Sequence, residues 1–239
     1  MAVDFDGRDK IGSNKAVTVV RAGWSTTPGT VLAGAVSVVD AASAGTEYVM
    51  PIGQNVTTNT LFEYTSVDIM ATANNTTVSI DKDGNGTVDV TVTLQEGQTY
   101  MVNGGVYAGA KITSDKNITV NAIAGDVGSA YDNRWFSITP YKQWSNSYYA
   151  PVATTLSSDP SYVFLYNPTG SAIKIYYDNA TSTGNFVTVS ANSSAYVQMT
   201  ASAAHFYTKS DSSNAAFYAV STIDSDTSHS THDWSYSLA

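Results

Sequence analysis

The sequence predicts an all-β fold: two tandem antiparallel β-sandwich units, jelly-roll-like in kind, from an internal repeat of about 100 residues, plus an extra half-unit. Three observations carry that prediction. Apolar residues alternate with polar ones in short runs, the period of a strand with one face buried and one in water. Clusters of Gly, Asn, Asp, Pro and Ser interrupt the runs about every 8 to 12 residues, a sandwich spacing and not a βαβ one. The runs also recur: 12–20 (GSNKAVTVV) returns as 113–121 (TSDKNITVN), with a weaker third copy at 211–220 (DSSNAAFYAV).

Each of these three segments places a small polar lead before a β-rich run. Each is followed by a loop and a second strand, at 34–39 (GAVSVV), 135–139 (WFSIT) and 234–238 (WSYSL). Such a strand pair is an A half, and a longer B half lies between successive A halves. In the B half, 45–52 (GTEYVMPI) matches 146–152 (NSYYAPV), and 61–64 (LFEY) opens a strand as 162–166 (YVFLY) does. Next, 77–81 (TVSID) answers 172–176 (AIKIY). A closing hairpin of 90–94 (VTVTL) and 100–102 (YMV) answers 186–189 (FVTV) and 196–199 (YVQM). The chain order is therefore A-B-A-B-A. With B followed by A as the unit, the domains are 44–143 and 144–239, and 1–43 is an N-terminal half-unit of donor strands. With A followed by B, the orphan lies at the C-terminus. No long stretch keeps a capped helical period, although the alanines of 195–205 leave room for a short helix.

Composition narrows the function. Charged residues make up 13% of the chain, about half the share of an ordinary soluble domain. Eleven Lys and Arg stand against 20 Asp and Glu, for a net charge of -9. Without a basic patch, neither nucleic-acid phosphates nor an anionic membrane surface is a partner. No apolar run approaches the roughly 18 residues of a membrane span. The start, MAVDFDGRDK, lacks the basic and apolar regions of a signal peptide and reads as a mature chain. There is no cysteine, which removes disulfides, thiolate nucleophiles and Cys-ligated zinc together.

The sharpest local motif is 81–89 (DKDGNGTVD). Oxygen ligands at alternating positions with glycine between them let a tight turn wrap a hard cation. Asp81, Asp83, Asn85 and Asp89 offer side-chain oxygens and Thr87 its carbonyl, for a structural Ca2+ that staples a hairpin. The Glu that closes an EF-hand loop is missing, Val92 standing in its place. Turn chemistry alone is the alternative, since Asp, Asn and Gly are ordinary hairpin residues. Asn-x-Ser/Thr sequons make Asn55, Asn74, Asn75, Asn117, Asn179 and Asn192 candidate glycosylation sites, and Asn85 also heads one.

For catalysis the inventory is thin, and the chain does not read as an enzyme. It has no Gly-x-Ser-x-Gly elbow, no His-Glu-x-x-His and no phosphate loop, and all three histidines fall after residue 200. Sixteen Tyr and four Trp cluster around Trp135, Trp144, Tyr148, Tyr149, Tyr162, Tyr166, Tyr176 and Tyr177. Most are expected in the core, with an interface strip for a few.

The cadence of 114–120 (SDKNITV), a 148–152 (YYAPV) segment and the 81–86 (DKDGNG) hairpin resembles the repeated β units of large secreted surface proteins. The IgGFc-binding-like N-terminal region is the family it is similar to. That resemblance implies an extracellular or cell-surface role in adhesion or assembly, and it transfers no catalytic residue. The expected function is thus a non-enzymatic structural protein, a subunit of a surface filament, sheath or S-layer-like array. It would form a homo-oligomer or polymer through β-strand edges, with Val3, Phe5, Ala16, Val17, Val19 and Val20 on the donated strand. The other reading is a monomeric adhesin or carbohydrate-binding module whose partners are glycans.

Overall fold

β-Branched and aromatic residues alternating with polar ones build strands throughout, and four single 3-10 turns are the helical content of the described residues. The computed structural model describes residues 11–23, 34–57, 60–125, 127, 134–151, 161–199, 203–223 and 234–237. The hairpin β1 (Val20–Gly23) and β2 (Gly34–Ser37) comes first. A first set follows: β3 (Gly45–Val49), β4 (Tyr64–Ala71), β5 (Thr76–Asp81), β6 (Val90–Leu94), β7 (Thr99–Val102), β8 (Lys111–Gly125) and β9 (Arg134–Ile138). A second set completes the chain: β10 (Ser147–Ala150), β11 (Ser161–Asn167), β12 (Ile173–Asn179), β13 (Asn185–Val189), β14 (Ser193–Met199), β15 (Ala204–Tyr207), β16 (Tyr218–Ile223) and β17 (Trp234–Ser237). The alanine-dense 195–205 forms no helix where described. Ala195, Val197 and Met199 alternate with polar residues, and that period makes β14.

β8 is the pivot of the first set. Its early half pairs with β3 and β5, where Tyr48 and Ile80 both stand opposite Ile112. Its later half pairs with β4 and β9, where Asp68 and Ser137 both stand opposite Asn121. One strand of 15 residues thus passes from a sheet ordered β3-β8-β5-β6 to one ordered β9-β8-β4-β7. In the second set the same path is cut in two, β15 serving one sheet (β10-β15-β12-β13) and β16 the other (β14-β11-β16-β17). All pairings are antiparallel, and the strand order of the two sets is the same.

Two details fix the correspondence at residue level. The Tyr48 hydroxyl accepts from the Gly45 N–H at 2.9 Å and donates to the Ile118 carbonyl at 2.5 Å. The Tyr148 hydroxyl accepts from the Ser145 N–H at 2.9 Å and donates to the Phe217 carbonyl at 2.8 Å. Ile118 and Phe217 therefore hold one position. The three A halves also share a register, with Ser37, Ser137 and Ser237 opposite Val20, Asn121 and Val220.

Both sheets of the second set feed one apolar cluster, including Tyr148, Val163, Leu165, Ile175 and Phe206, as two sheets packed face to face must. The first set's cluster, around Ile69, Ile80, Ile112, Val120 and Phe136, runs on into Phe164, Tyr166, Tyr218 and Val220. Those four lie on the other face of β11 and β16, so the second set buries the outside of one of its sheets on the first set. Phe62 meets Phe164 edge-on at 4.8 Å, Trp144 contacts the rings of Tyr166 and Tyr218, and Ser194 Oγ donates to the Pro51 carbonyl.

The β1–β2 hairpin lies on the first set as β8–β9 lies on the second. Ser137 Oγ donates to the Ser37 carbonyl, and Tyr218 OH approaches the Ser137 carbonyl in the same way. The filling differs. Asp68, Met70, Thr119 and Asn121 occupy the places of Phe164, Tyr166, Tyr218 and Val220. The smaller, more polar side chains leave a cavity of about 220 Å³ beneath the hairpin, lined in part by Arg21, Val36, Asp68 and Met70.

Candidate functional site

Of the predicted assembly residues, Val3 and Phe5 lie outside the described residues. The others form an exposed strip. β1 pairs with β2 along one edge, and among the described residues its second edge has no partner. Ahead of β1 the Val19 carbonyl accepts from the Val38 N–H at 2.9 Å, which carries the pairing with β2 one residue further. Val17 and Val20 are 61% and 59% exposed, Ile11 is 72% exposed, Ala16 is exposed and Val19 is half-buried. Lys15 and Arg21 bracket the strip, and the Arg21 guanidinium lies 5.2 Å from the centre of the Trp135 ring. Arg21 also opposes the burial that raises the Asp68 pKa.

The acidic turn joins β5 to β6. The buried Asp81 carboxylate accepts from the backbone N–H groups of Gly84 (2.8 Å), Asn85 (3.2 Å) and Gly86 (2.8 Å). Asp83 accepts from the Asn85 backbone and side chain, and Asp89 accepts from the Lys82 N–H. Gly84 and Gly86 adopt φ of 72° and 90°, conformations open to glycine. A Cβ on Gly84 would meet the Gly109 carbonyl at 2.6 Å. One oxygen each of Asp81, Asp83 and Asp89 lies within 4.8 Å of the others, an arrangement that suits a hard cation. Within the turn Asn85 Oδ1 accepts from the Thr87 N–H at 2.7 Å.

Sequence reasoning grouped the aromatics by proximity along the chain, and the sheets sort them differently. Tyr148, Tyr166 and Trp144 are buried. On the outer face of β10-β15-β12-β13 a ladder forms instead. Tyr149 stacks on His205 (4.2 Å, 6° between planes), His205 on Tyr207 (4.7 Å, 24°) and Tyr207 on Tyr176 (5.9 Å, 23°), with Phe186 beyond at 5.7 Å. His205, Tyr207 and Phe186 were not foreseen. The signal was the register, which sets Tyr149 opposite His205 and Phe186 opposite Tyr176. Tyr176 OH donates to Asp211, a bond that raises its pKa, and Lys209 Nζ sits 3.9 Å over the Tyr176 ring. Rings this close and this parallel stand face to face, so their faces cover one another and Tyr149, 70% exposed, ends the row.

The sequons divide as well. Asn55, Asn74, Asn75, Asn117 and Asn192 are exposed and Asn179 is half-buried. The Asn55 amide is committed to Ala108, donating to its carbonyl at 3.3 Å and accepting from its N–H at 2.7 Å. Asn74 and Asn75 accept from Glu96 and Gln95, and Asn179 accepts from Thr181 and Ser182.

A family model described as IgGFc binding protein matches residues 34–237, which spans β2 through β17. The chain belongs to the IgGFc-binding family. The resemblance read from the short β motifs is therefore correct. No curated protein and no solved structure matches the chain. The IgGFc-binding family is one of binding domains, and membership fits a protein of the extracellular surface. Among the described residues no helix is long and apolar enough to cross a membrane.

Proposed function

We propose that this chain is a structural subunit of an extracellular surface filament, sheath or S-layer-like array, without enzymatic activity, joined copy to copy through β-strand edges. On this reading residues 44–143 and 144–239 are the two repeated units, and 1–43 is the half-unit left over. The observation that carries the reading is the β1–β2 hairpin. It is two strands of a sheet that has four in each complete set, with one edge unpaired among the described residues and Val17 and Val20 in solvent. An unpaired apolar edge is a template for another chain, holding it by main-chain hydrogen bonds while alternate side chains fix the register. The low charge of the chain favours such joints, because few strand residues carry the charges that guard an edge. Deleting residues 1–22 and examining the product by electron microscopy tests the reading. Loss of regular assemblies supports it, and unchanged assemblies sink it.

A second reading, a monomeric adhesin or carbohydrate-binding module, is favoured by the exposed end of the aromatic ladder at Tyr149. The stacking leaves one open ring face there instead of a broad platform. A glycan array that stays blank in calcium argues against it, and retained hits lost on Tyr149→Ala support it.

A further inference from the structure

Assembly through β1 needs an acceptor edge, and charge, alternation and hydrogen-bond parity all select the same one. Resting on the assembly reading above, we propose that residues 15–21 of one copy pair antiparallel with β6 of a second copy, with Val17 opposite Leu94 and Val19 opposite Val92.

Charge comes first. Residues 7–21 hold four of the chain's 11 Lys and Arg (Arg8, Lys10, Lys15 and Arg21) and one acid, Asp9, in a molecule of net charge -9. Within that segment, 16–20 is an uncharged run between Lys15 and Arg21. β6 is its complement, an uncharged run between Asp89 and Glu96. Among the described edge strands this pattern belongs to β6. Glu47 interrupts β3 and Arg134 interrupts β9, whereas β2, β7, β10, β13, β14 and β17 lack an acid at one or both ends. β13, the counterpart of β6, follows a turn at 180–184 that holds no acid and is succeeded by Ser190.

Alternation comes second. Along β6, Val90 and Val92 are half-buried and Leu94 is buried, while Thr91 and Thr93 are exposed. The proposed register puts Val17 and Val19 on the Leu94 side and Thr18 and Val20 on the threonine side. Lys15 then stands opposite Glu96, and Arg21, whose guanidinium packs on Trp135 of its own copy, stands opposite Val90. A shift of one residue would exchange the faces and separate Lys15 from Glu96.

Parity comes third. The Val19 carbonyl is turned to β2, where it accepts from Val38, so the main-chain groups of Val20 point to the unpaired edge, and a strand continued to residue 15 turns those of Thr18 the same way. On β5, the Thr77 N–H is turned away from β6, donating to Asp115 Oδ1 at 2.7 Å. Thr93, opposite Thr77, therefore presents its own main-chain groups outward, as does Thr91. Pairing Thr18 with Thr93 and Val20 with Thr91 matches free groups to free groups. The joint extends the sheet β3-β8-β5-β6 by β1 and β2 of the next copy. It is head-to-tail, so it propagates into an open polymer wherever the rotation between copies does not close a ring.

The chain's lack of cysteine makes the test direct. Full-length Thr18→Cys and Thr93→Cys, both at exposed positions, are mixed in equal amounts and oxidised with diamide, with Thr188→Cys on β13 replacing Thr93→Cys as control. Opposed antiparallel residues stand about 5.5 Å apart at Cα, inside the disulfide range. The expected result is a disulfide-linked heterodimer for Thr18→Cys with Thr93→Cys, several-fold above the Thr188→Cys control and falling as salt rises. Equal or absent cross-linking in a mixture that still sediments as assemblies overturns this edge and leaves the assembly reading standing. A mixture that sediments only at the monomer mass of 25.3 kDa overturns both.

Discussion

Tyr148→Phe isolates one link between side-chain chemistry and the fold. The substitution keeps the ring, which packs 4.9 Å from that of Phe217 inside the second set's core. It removes a hydroxyl that accepts from the Ser145 N–H at 2.9 Å and donates to the Phe217 carbonyl at 2.8 Å. Ser145 and Phe217 form an isolated bridge, and the tyrosine pins that bridge to the start of β10. Leaving a buried donor and acceptor without partners costs about 2 to 3 kcal/mol. For a chain of this length that is a fall in Tm of roughly 5 to 10 °C, read by circular dichroism. The hydroxyl also titrates late, its pKa pushed up to about 12 chiefly by burial. In the unfolded chain it loses its proton near pH 10, so the folded state alone holds the proton between pH 10 and 12. Stability from this group is therefore full below pH 10 and falls by up to about 2.7 kcal/mol as the pH reaches 12. In Tyr148→Phe that share of the alkaline loss is absent. A Tm within 1 °C of the parent at neutral pH, with an unchanged alkaline slope, refutes the reasoning.

Three further outcomes are expected. Tyr48→Phe destabilises the first set by a similar amount, since its hydroxyl makes the same two bonds, and a urea midpoint that does not move argues against the equivalence. Gly84→Ala strains a backbone at φ 72° and drives a Cβ to within 2.6 Å of the Gly109 carbonyl, so it lowers stability by about 2 kcal/mol or more in thermal unfolding. If the acidic turn takes Ca2+ with the affinity of extracellular modules, near 1 mM, then 10 mM Ca2+ adds about 1.4 kcal/mol. Asp83→Asn abolishes that gain; an equal rise in Tm without Asp83 shows that the ion acts elsewhere.

Much of the fold was legible because the signals were local and redundant. Alternation placed the strands, and the recurrence of 12–20 at 113–121 placed hairpins that share one register opposite Ser37, Ser137 and Ser237. The passage of β8 through two sheets was not legible. A continuous β run looks the same whether it serves one sheet or two, and the second set uses two strands for the same path. The ladder of Tyr149, His205, Tyr207, Tyr176 and Phe186 escaped for a related reason, as its members come from four strands that only register brings together. The acidic turn was legible as a turn, whereas the hydrogen bonds of Asn85 within it, to Asp83 and from the Thr87 N–H, depend on the folded loop. The contact between the two sets was hidden too. Phe164 and Tyr166 alternate with inward-facing residues in a strand buried on both faces, a pattern that reads as core without saying whose core.

The central claim, assembly through the N-terminal edge, is tested most directly by sedimentation velocity of the full chain beside the chain lacking residues 1–22, with and without calcium. The predicted result is rods or fibres from the full chain and a monomer near 25 kDa from the shortened one. A full chain that stays monomeric in every condition, or a shortened chain that assembles equally well, contradicts it.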